Sequence, residues 1–423
     1  MMNRKSRFLK GALTAAVAFS VTTIAACTPS SNMKADDSGQ SDAQTLTIWH
    51  YYSVDDQLKT LESYKASFEA DHPGITVDNV YVPQDQINSK VITAAGSGSG
   101  PDIVVFDGYS ATTLIAANAV QSIDSYWEGF DSADQFPDGT VTKVDGKRYT
   151  VQGYTNTLAL FYNKTILDEV GVNAPTTLEE LESSLAKVTE AGYEGIVLAG
   201  QADVQGAFQA YPWETAEGFN YENPDSAALA KAFERVRGWI DKGWLSEEAA
   251  TWDQNVPFTR FTAGGIAFAE NGNWQLTGLT QDASFDWGVV KLPVGDGRVY
   301  LGGEAEGIGV NSKNPDLAWQ YLTETFLSKE GQLGALKHVG AIPTRLDAAS
   351  DEAIASDPNL SVFASVIADQ GAPFPDPVIP ANNNEKTILA AGQAWSAALS
   401  GQTAPMDAAT HFLGQLDSLL KAE

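Results

Sequence analysis

The chain has 423 residues, too many for one ordinary hydrophobic core, and 43% of them are hydrophobic and 19% charged, as in a globular protein. Its 54 acidic and 26 basic residues give a formal net charge of −28. So acidic a chain argues against nucleic acid as a partner, because phosphates need basic contacts, and it would repel anionic solutes. The charge therefore favours a neutral ligand.

The N-terminus has the pattern of an export signal. A mildly apolar stretch, residues 11–26, is too short and too polar for a membrane span and follows four basic residues, Arg4, Lys5, Arg7 and Lys10. It ends in Ile24-Ala25-Ala26-Cys27, which resembles the lipobox of bacterial lipoproteins, where the cysteine is lipidated and becomes the mature N-terminus. We predict a signal peptide over residues 1–26 and lipidation at Cys27. The alternative is a free buried thiol.

Residues 27–44 lack aromatic side chains and are rich in Ser, Asp and Gln, which predicts a flexible tether. Strand and helix patterns alternate from residue 45 onwards. A strand is predicted over Leu46–Trp49, a helix up to the break at His72-Pro73-Gly74, a strand over Ile75–Val82, a helix over Gln84–Ala95 and a strand over Asp102–Phe106. This βαβαβ order predicts a mostly parallel sheet covered by helices.

Later segments continue the alternation. Strands are predicted at 158–162, 195–198, 266–269, 287–290 and 307–310, and helices at 177–191, 227–242, 315–327 and 384–399. The stretch from Gly96 to Asp102 is glycine-rich, but Pro101 and a strand follow where a phosphate loop needs Lys and a helix, so it is interpreted as a turn.

Large rings stand at the carboxyl end of the first strand, in Trp49-His50-Tyr51-Tyr52-Ser53. In wound α/β sheets ligands bind at the carboxyl ends of strands, which favours a binding role for the residues after Trp49. A core position is the alternative for Tyr51 and Tyr52, and is the favoured interpretation of Trp49.

Several stretches together resemble the carbohydrate-binding extracellular solute-binding proteins of bacterial ABC importers, the family that includes the maltose-binding proteins. In chain order they are WHYYS at 49–53, FEADHPGITV at 68–77, AAGSGSGPDIVVFDG at 94–108, LALFYNKTILDEVGVNAPTTLEEL at 158–181, FTAGGIAFAENGNW at 261–274, DWGVVKLPVGDG at 286–297, GGEAEGIGVNSKNPDLAWQYL at 302–322 and GAIPT at 340–344. Each stretch is weakly specific alone, and the common order carries the resemblance.

The resemblance implies an α/β fold of two lobes, each a mostly parallel sheet flanked by helices, joined by a multi-segment hinge that closes on the ligand. We place the crossings near residues 152–157, 302–307 and 342–345. Lobe one then comprises residues 45–152 and 308–342, and lobe two comprises residues 153–307 and 343–423.

A sugar site needs rings to stack on the apolar sugar faces and amides or carboxylates to bind the hydroxyls. Carried over by motif, the predicted ligand-binding residues are His50, Tyr51, Ser53, Asp107, Tyr109, Asn156, Trp213, Trp252, Trp274, Glu304 and Asn384. Structural alternatives stay open for some of them: a core position for the three tryptophans, a solvated charge for Glu304 and a helix N-cap for Asn384.

The resemblance implies capture of a neutral sugar outside the cell and delivery to the permease subunits of an ABC transporter, by a lipid-anchored monomer on the extracellular face of the membrane. The number of rings favours a di- to tetrasaccharide. We expect no cofactor and no enzyme activity. We also expect no metal site, since the four histidines share no metal-ligand spacing. The alternatives are a secreted glycoside hydrolase, which needs two flanking carboxyls, and a binding protein for a non-sugar solute such as a glycerol phosphate ester.

Overall fold

The computed structural model describes residues 44–421. The predicted signal peptide, the lipidation site at Cys27 and nearly all of the tether lie outside these residues. The strands are β1 Gln44–His50, β2 Ile75–Tyr81, β3 Ile103–Asp107, β4 Val141–Val144, β5 Lys147–Gln152, β6 Tyr154–Thr155, β7 Leu158–Asn163, β8 Glu194–Val197, β9 Ile266–Gly272, β10 Trp287–Val290, β11 Val299–Leu301, β12 Glu304–Ile308, β13 Ile342–Pro343 and β14 Gly371–Pro373.

Helices flank these strands. They are α1 Asp55–Asp71, α2 Gln84–Gly96, α3 Ala111–Ala116, α4 Asp124–Trp127, α5 Lys164–Val170, α6 Leu178–Glu190, α7 Val204–Ala216, α8 Ser226–Asp241, α9 Asn255–Thr262, α10 Leu276–Asp282, α11 Pro315–Glu324, α12 Lys329–Val339, α13 Leu346–Ala349, α14 Glu352–Ser356, α15 Pro358–Asp369, α16 Asn384–Leu399 and α17 Pro405–Leu420. No helix within residues 44–421 is long and apolar enough to cross a membrane.

The first sheet has six strands in the order β2-β1-β3-β12-β5-β4. Strand β1 runs parallel to β2 and β3, whereas β12 runs antiparallel to β3 and to β5. The expectation of a mostly parallel sheet is therefore wrong in this detail. Strands β1 and β3 both end on the same side of the sheet. Strand β12 starts on that side, and its first residue, Glu304, pairs with Asp107, the last residue of β3. A chain that enters at the edge where its neighbours end must run antiparallel to them.

The second sheet has four strands in the order β10-β7-β9-β8. Strand β9 pairs in parallel with β8 and antiparallel with β7, so this sheet is mixed as well. Strand β9 is buried along its whole length because helices cover both faces of the sheet.

Each sheet has its own hydrophobic core. One cluster contains the apolar residues of β1 and β3, and the other contains those of β7 and β9 with rings of α7 and α8 such as Trp213 and Trp239. Two cores built on two sheets with flanking helices confirm the two-lobed α/β fold class.

Three short segments lie side by side between the two sheets. Strand β6 pairs with β13, and Asn156 forms an isolated bridge with Gly302. Gly303 allows this close approach: its φ is 146°, and a Cβ there would overlap the carbonyl of Tyr154 and the amide of Gln152. These are the segments predicted as crossings. We call them the crossing segments.

Candidate functional site

A cavity of about 570 Å³ lies where the strands of the six-stranded sheet end and the crossing segments begin. Residues after β1, at the end of β3 and at the start of β12 form one side of it. Residues at the first turns of α7, α9 and α16 complete the lining. Such a position at the carboxyl ends of strands is where ligands bind in open α/β sheets.

Most of the predicted ligand-binding residues line this cavity. They are Tyr51, Ser53, Asp107, Tyr109, Asn156, Trp274 and Glu304. Their spread over the sequence, from residue 51 to residue 304, is brought together by the sheet order and by the crossing segments. This placement supports a binding role for them, which stays a prediction.

His50 does not line the cavity, in contrast to the prediction. Along β1, Leu46, Ile48 and His50 point into the core, because alternate residues of a strand share a face. The imidazole is 2% exposed, and burial lowers the pKa of His50 to about 4. Trp49, expected in the core, is only partly buried on the other face.

Trp213, Trp252 and Asn384 also lie away from the cavity lining. Trp213 is 1% exposed, and its Nε1 donates to Glu270 Oε2 at 2.8 Å inside the core. Trp252 is buried with the guanidinium of Arg260 at 4.9 Å from its ring centroid. Asn384, the first residue of α16, is buried and its Nδ2 lies 3.3 Å from Thr112 Oγ1. Packing therefore accounts for these side chains, and the cleft position predicted for them is corrected.

Four rings form a continuous row along the cavity. The ring centroids of Tyr109 and Phe374 are 5.3 Å apart, those of Phe374 and Phe208 are 5.2 Å apart, and those of Phe208 and Trp274 are 6.5 Å apart. The Trp274 ring lies directly over Gly272, where any Cβ would collide with it. Glycine at 272 therefore fixes the position of this ring on the wall. We call these four residues the aromatic row.

Polar side chains at the same cavity form a hydrogen-bonded series. Gln84 Nε2 donates to Asp107 Oδ2 at 2.7 Å. The hydroxyl of Tyr51 lies 2.9 Å from Asp107 Oδ1 and 2.9 Å from Glu304 Oε1.

The series continues through the crossing segments. Asn156 Nδ2 donates to Glu304 Oε2 at 3.2 Å, and Asn273 Nδ2 donates to Asn156 Oδ1 at 3.1 Å. We call these six residues, Gln84, Asp107, Tyr51, Glu304, Asn156 and Asn273, the cleft network. It begins at α2, beside the six-stranded sheet, and ends directly after β9 of the four-stranded sheet.

Burial changes the acidity of the carboxyls in the network. It raises the pKa of Glu304 to about 8, and the nearby charge of Asp107 adds to the effect. Burial also raises the pKa of Asp107, but hydrogen bonds from Gln84 and Tyr51 oppose that rise. Both effects on the pKa of Glu304 favour its neutral form over the carboxylate.

Two further acidic residues of the cavity wall cap helices. Asp203 caps α7 by accepting from the backbone N–H of Gln205 at 2.9 Å, and Asp253 accepts from the N–H groups that begin α9. Among the described residues that line the cavity, none is Lys, Arg or His. The cavity therefore offers anionic ligands no charge partner.

Several lining residues were missed by the sequence analysis. Gln84 follows the carboxyl end of β2, so the strand-end rule that singled out Tyr51 and Asp107 applies to it as well. Phe208 lies in α7 and Phe374 directly after β14, and neither segment was predicted. Phe374 has no local signal, since its place follows from tertiary packing alone.

Known proteins match both the sequence and the fold. The model of a family described as bacterial extracellular solute-binding protein matches residues 63–362. A galactooligosaccharide-binding protein of Bacillus subtilis is 25% identical over 363 residues, covering 81% of each chain. A maltooligosaccharide ABC transporter solute-binding lipoprotein of Streptococcus pneumoniae is 24% identical over 366 residues, covering 82% of this chain and 83% of that one.

Among solved structures, the GacH receptor of Streptomyces glaucescens, solved unliganded and with acarbose, superposes with a TM-score of 0.80 at 24% identity. The match covers 90% of this chain and 99% of that one. It supports the two-lobed fold.

Proposed function

This chain belongs to the bacterial extracellular solute-binding proteins, and on that basis we propose that its cavity binds a neutral oligosaccharide, a di- to tetrasaccharide. The aromatic row and the cleft network at one cavity are the observation that carries the proposal. Rings stack on the apolar faces of pyranoses, and the carboxyl and amide groups of the network bind their hydroxyls.

The ligand-binding residues of this proposal are the predicted residues that line the cavity together with Gln84, Phe208 and Phe374. A row of four rings is long enough for more than one sugar unit, which supports an oligosaccharide over a monosaccharide. The relatives named for galactooligosaccharides and maltooligosaccharides support the same class of ligand.

The absence of Lys, Arg and His among the described lining residues disfavours a phosphate ester, such as the glycerol phosphate ester considered from the sequence. Anion sites use cationic side chains, and at the N-termini of α7 and α9 the carboxyls of Asp203 and Asp253 already accept from the backbone N–H groups that a phosphate would need. A neutral ligand agrees with the acidic composition of the whole chain.

In this proposal the two lobes, with the boundaries given above, close over the sugar by bending at the crossing segments. The closed complex delivers the sugar to ABC permease subunits as a monomer held outside the cell by a lipid on Cys27. Replacement of Cys27 by Ser is expected to release the protein into the medium, detected by immunoblot of cell and medium fractions. Retention of the variant on cells would refute the anchor.

Isothermal titration of the mature protein against a panel of neutral oligosaccharides tests the proposal. The panel contains maltooligosaccharides and galactooligosaccharides of two to four units, with glycerol phosphate esters as anionic comparison. We expect micromolar or tighter binding of at least one neutral sugar. Binding of only the phosphate esters would overturn the carbohydrate assignment, and hydrolysis of a glycan by the pure protein would move the chain to the glycoside hydrolases.

A further inference from the structure

The hydrogen count of the cleft network is unusual at Tyr51. Its hydroxyl carries one hydrogen, yet it lies 2.9 Å from Asp107 Oδ1 and 2.9 Å from Glu304 Oε1. The phenol can donate to only one of these oxygens. If both carboxyls were ionised, the other contact would place two electron-rich oxygens together without a hydrogen between them. One of the two carboxyls must therefore carry a proton and donate it to Tyr51.

Burial and hydrogen bonding decide which carboxyl holds this proton. Glu304 is 2% exposed, whereas Asp107 is partly exposed. Asp107 also accepts a 2.7 Å bond from Gln84, while the bond that Glu304 accepts from Asn156 is longer, at 3.2 Å. A hydrogen bond from Tyr154 lowers the pKa of Glu304, but burial, the largest effect, raises it and outweighs that bond. Water and short donor contacts stabilise an ionised carboxylate. Asp107 therefore keeps the negative charge, and Glu304 holds the proton.

The surroundings of Glu304 agree with this assignment. The titratable groups around it are Asp107 from β3, Tyr51 and Tyr52 after β1, Tyr154 from β6 and Glu306 on its own strand β12. Glu306 is 1% exposed and is itself a carboxyl. The ion pairs identified among residues 44–421 do not include Glu304. Ionisation of Glu304 would thus add a negative charge beside other carboxyls.

We propose that Glu304 acts as a neutral positioning residue, which donates its proton to Tyr51 and accepts from Asn156, and that loss of this proton weakens ligand binding. The proposal rests on the proposed function, because it concerns affinity at the same cavity. In addition to its own place in the cavity lining, Glu304 supports binding through Tyr51 and Asn156, which it holds in place between the end of the six-stranded sheet and the segment that leads to Asn273.

The sign of the pH dependence follows from the effect of the bound sugar on Asp107. Glu304 is already buried, whereas Asp107 beside it is partly exposed. A sugar in the cavity excludes water from Asp107, which strengthens the repulsion between its charge and an ionised Glu304, so the sugar-bound form holds the proton on Glu304 more tightly than the free form. The pKa of Glu304 is raised to about 8 in the present form. Affinity is then highest below pH 8 and falls as the pH rises above it, by at most about tenfold per pH unit.

Isothermal titration between pH 6 and pH 9.5, with the neutral sugar that binds best, compares the wild type with E304Q and E304A. Glutamine keeps the required donor and acceptor without a titratable proton. We expect E304Q to bind within about threefold of the wild type at pH 6.5 and to keep that affinity at pH 9.5, where the wild type has lost about tenfold or more. E304A is expected to bind about tenfold more weakly at every pH.

A matched control is E214Q, which removes a buried carboxyl in the core of the other lobe, and its binding curve is expected to follow that of the wild type. The proposal is overturned if wild-type affinity does not change with pH, or if E304Q loses affinity in parallel with the wild type.

A measurement without ligand separates this proposal from the proposed function. Urea unfolding of the wild type and E304Q is compared from pH 5 to pH 8.5. Since the folded protein retains a proton that the unfolded chain releases near pH 4.5, the wild type is expected to lose stability relative to E304Q as the pH rises to about 8, and no further above it. Parallel stability curves would refute the proton on Glu304, whether or not any sugar binds.

Discussion

Trp213 and Trp274 contact the same strand, β9, and have opposite surroundings. Trp213 donates to Glu270, two residues before the carboxyl end of the strand, and is 1% exposed, whereas the Trp274 ring lies over Gly272 at that end and lines the cavity. Glu270 and Gly272 share a face of the strand. Distance from the carboxyl end of the strand, and not the kind of side chain, therefore separates a core ring from a ring that can contact ligand.

The largest effect is expected from Trp213→Ala. The ring packs edge-on against Trp239 at 5.1 Å, and its removal leaves a cavity and an unpaired carboxyl at Glu270. We expect the free energy of unfolding to fall by about 3–5 kcal/mol, measured by urea denaturation. Trp274→Ala is the matched control and should cost less than about 1 kcal/mol. Equal losses in the two variants would remove the distinction between core and cleft.

A second buried carboxyl, Glu214 in α7, lies outside the cleft network that contains Glu304. Burial raises the pKa of Glu214 to about 8. The folded protein therefore binds a proton that the unfolded chain releases above pH 4.5, and stability falls as the pH rises from 4.5 to 8. Against E214Q, we expect the wild type to lose up to about 1.4 kcal/mol per pH unit in this window. A stability difference that stays constant from pH 5 to pH 8 would contradict the raised pKa.

For the cavity ring, Trp274→Ala is expected to weaken sugar binding by about 2 kcal/mol, roughly 30-fold, because an aromatic anchor is lost from the aromatic row. Isothermal titration measures the effect. The conservative core variant Trp252→Phe serves as control and should bind like the wild type. If Trp252→Phe weakens binding as much as Trp274→Ala does, the assignment of Trp252 to the core and of Trp274 to the cavity fails.

The smallest effect is expected from Gln84→Ala. It removes the 2.7 Å donor to Asp107 and should reduce affinity by about 1 kcal/mol, roughly fivefold, with little change in stability. Gln86→Ala, an exposed position of the same helix, is the matched control. Identical titration curves for the two variants would show that Gln84 does not support the network.

Local patterns predict much of the first half of the fold. The βαβαβ order from β1 to β3 is confirmed. In the second half of the chain, the bounds predicted for β10 and α16 are those observed. Helix α7 has Pro212 inside and is apolar on nearly all sides, so it lacks the periodic signal of an amphipathic helix. The prediction of a mostly parallel sheet was wrong because β12 follows a crossing segment and so enters the sheet from the opposite direction. No local sequence pattern indicates from which direction a distant segment joins a sheet.

The candidate site shows the same division between local and tertiary information. Tyr51 and Asp107 lie where strands end, which the sequence indicates, whereas Glu304 was predicted in a crossing segment before a strand at 307–310 and is the first residue of β12. For His50 the alternation with Leu46 and Ile48 predicts a side chain that points into the core. The cavity position assigned to it by the family resemblance was therefore wrong. Trp213 and Trp252 could not be separated from Trp274, since only tertiary packing determines which ring reaches the cavity.

Hydroxyl-radical footprinting tests most directly that the cavity holds the sugar. The mature protein is oxidised with and without a saturating neutral oligosaccharide, and modification of each ring is read by mass spectrometry. We expect the sugar to protect Trp274 and Tyr109 several-fold, while the buried Trp213 reacts slowly in both states. Unchanged oxidation of Trp274 and Tyr109 under saturating sugar would contradict binding in this cavity.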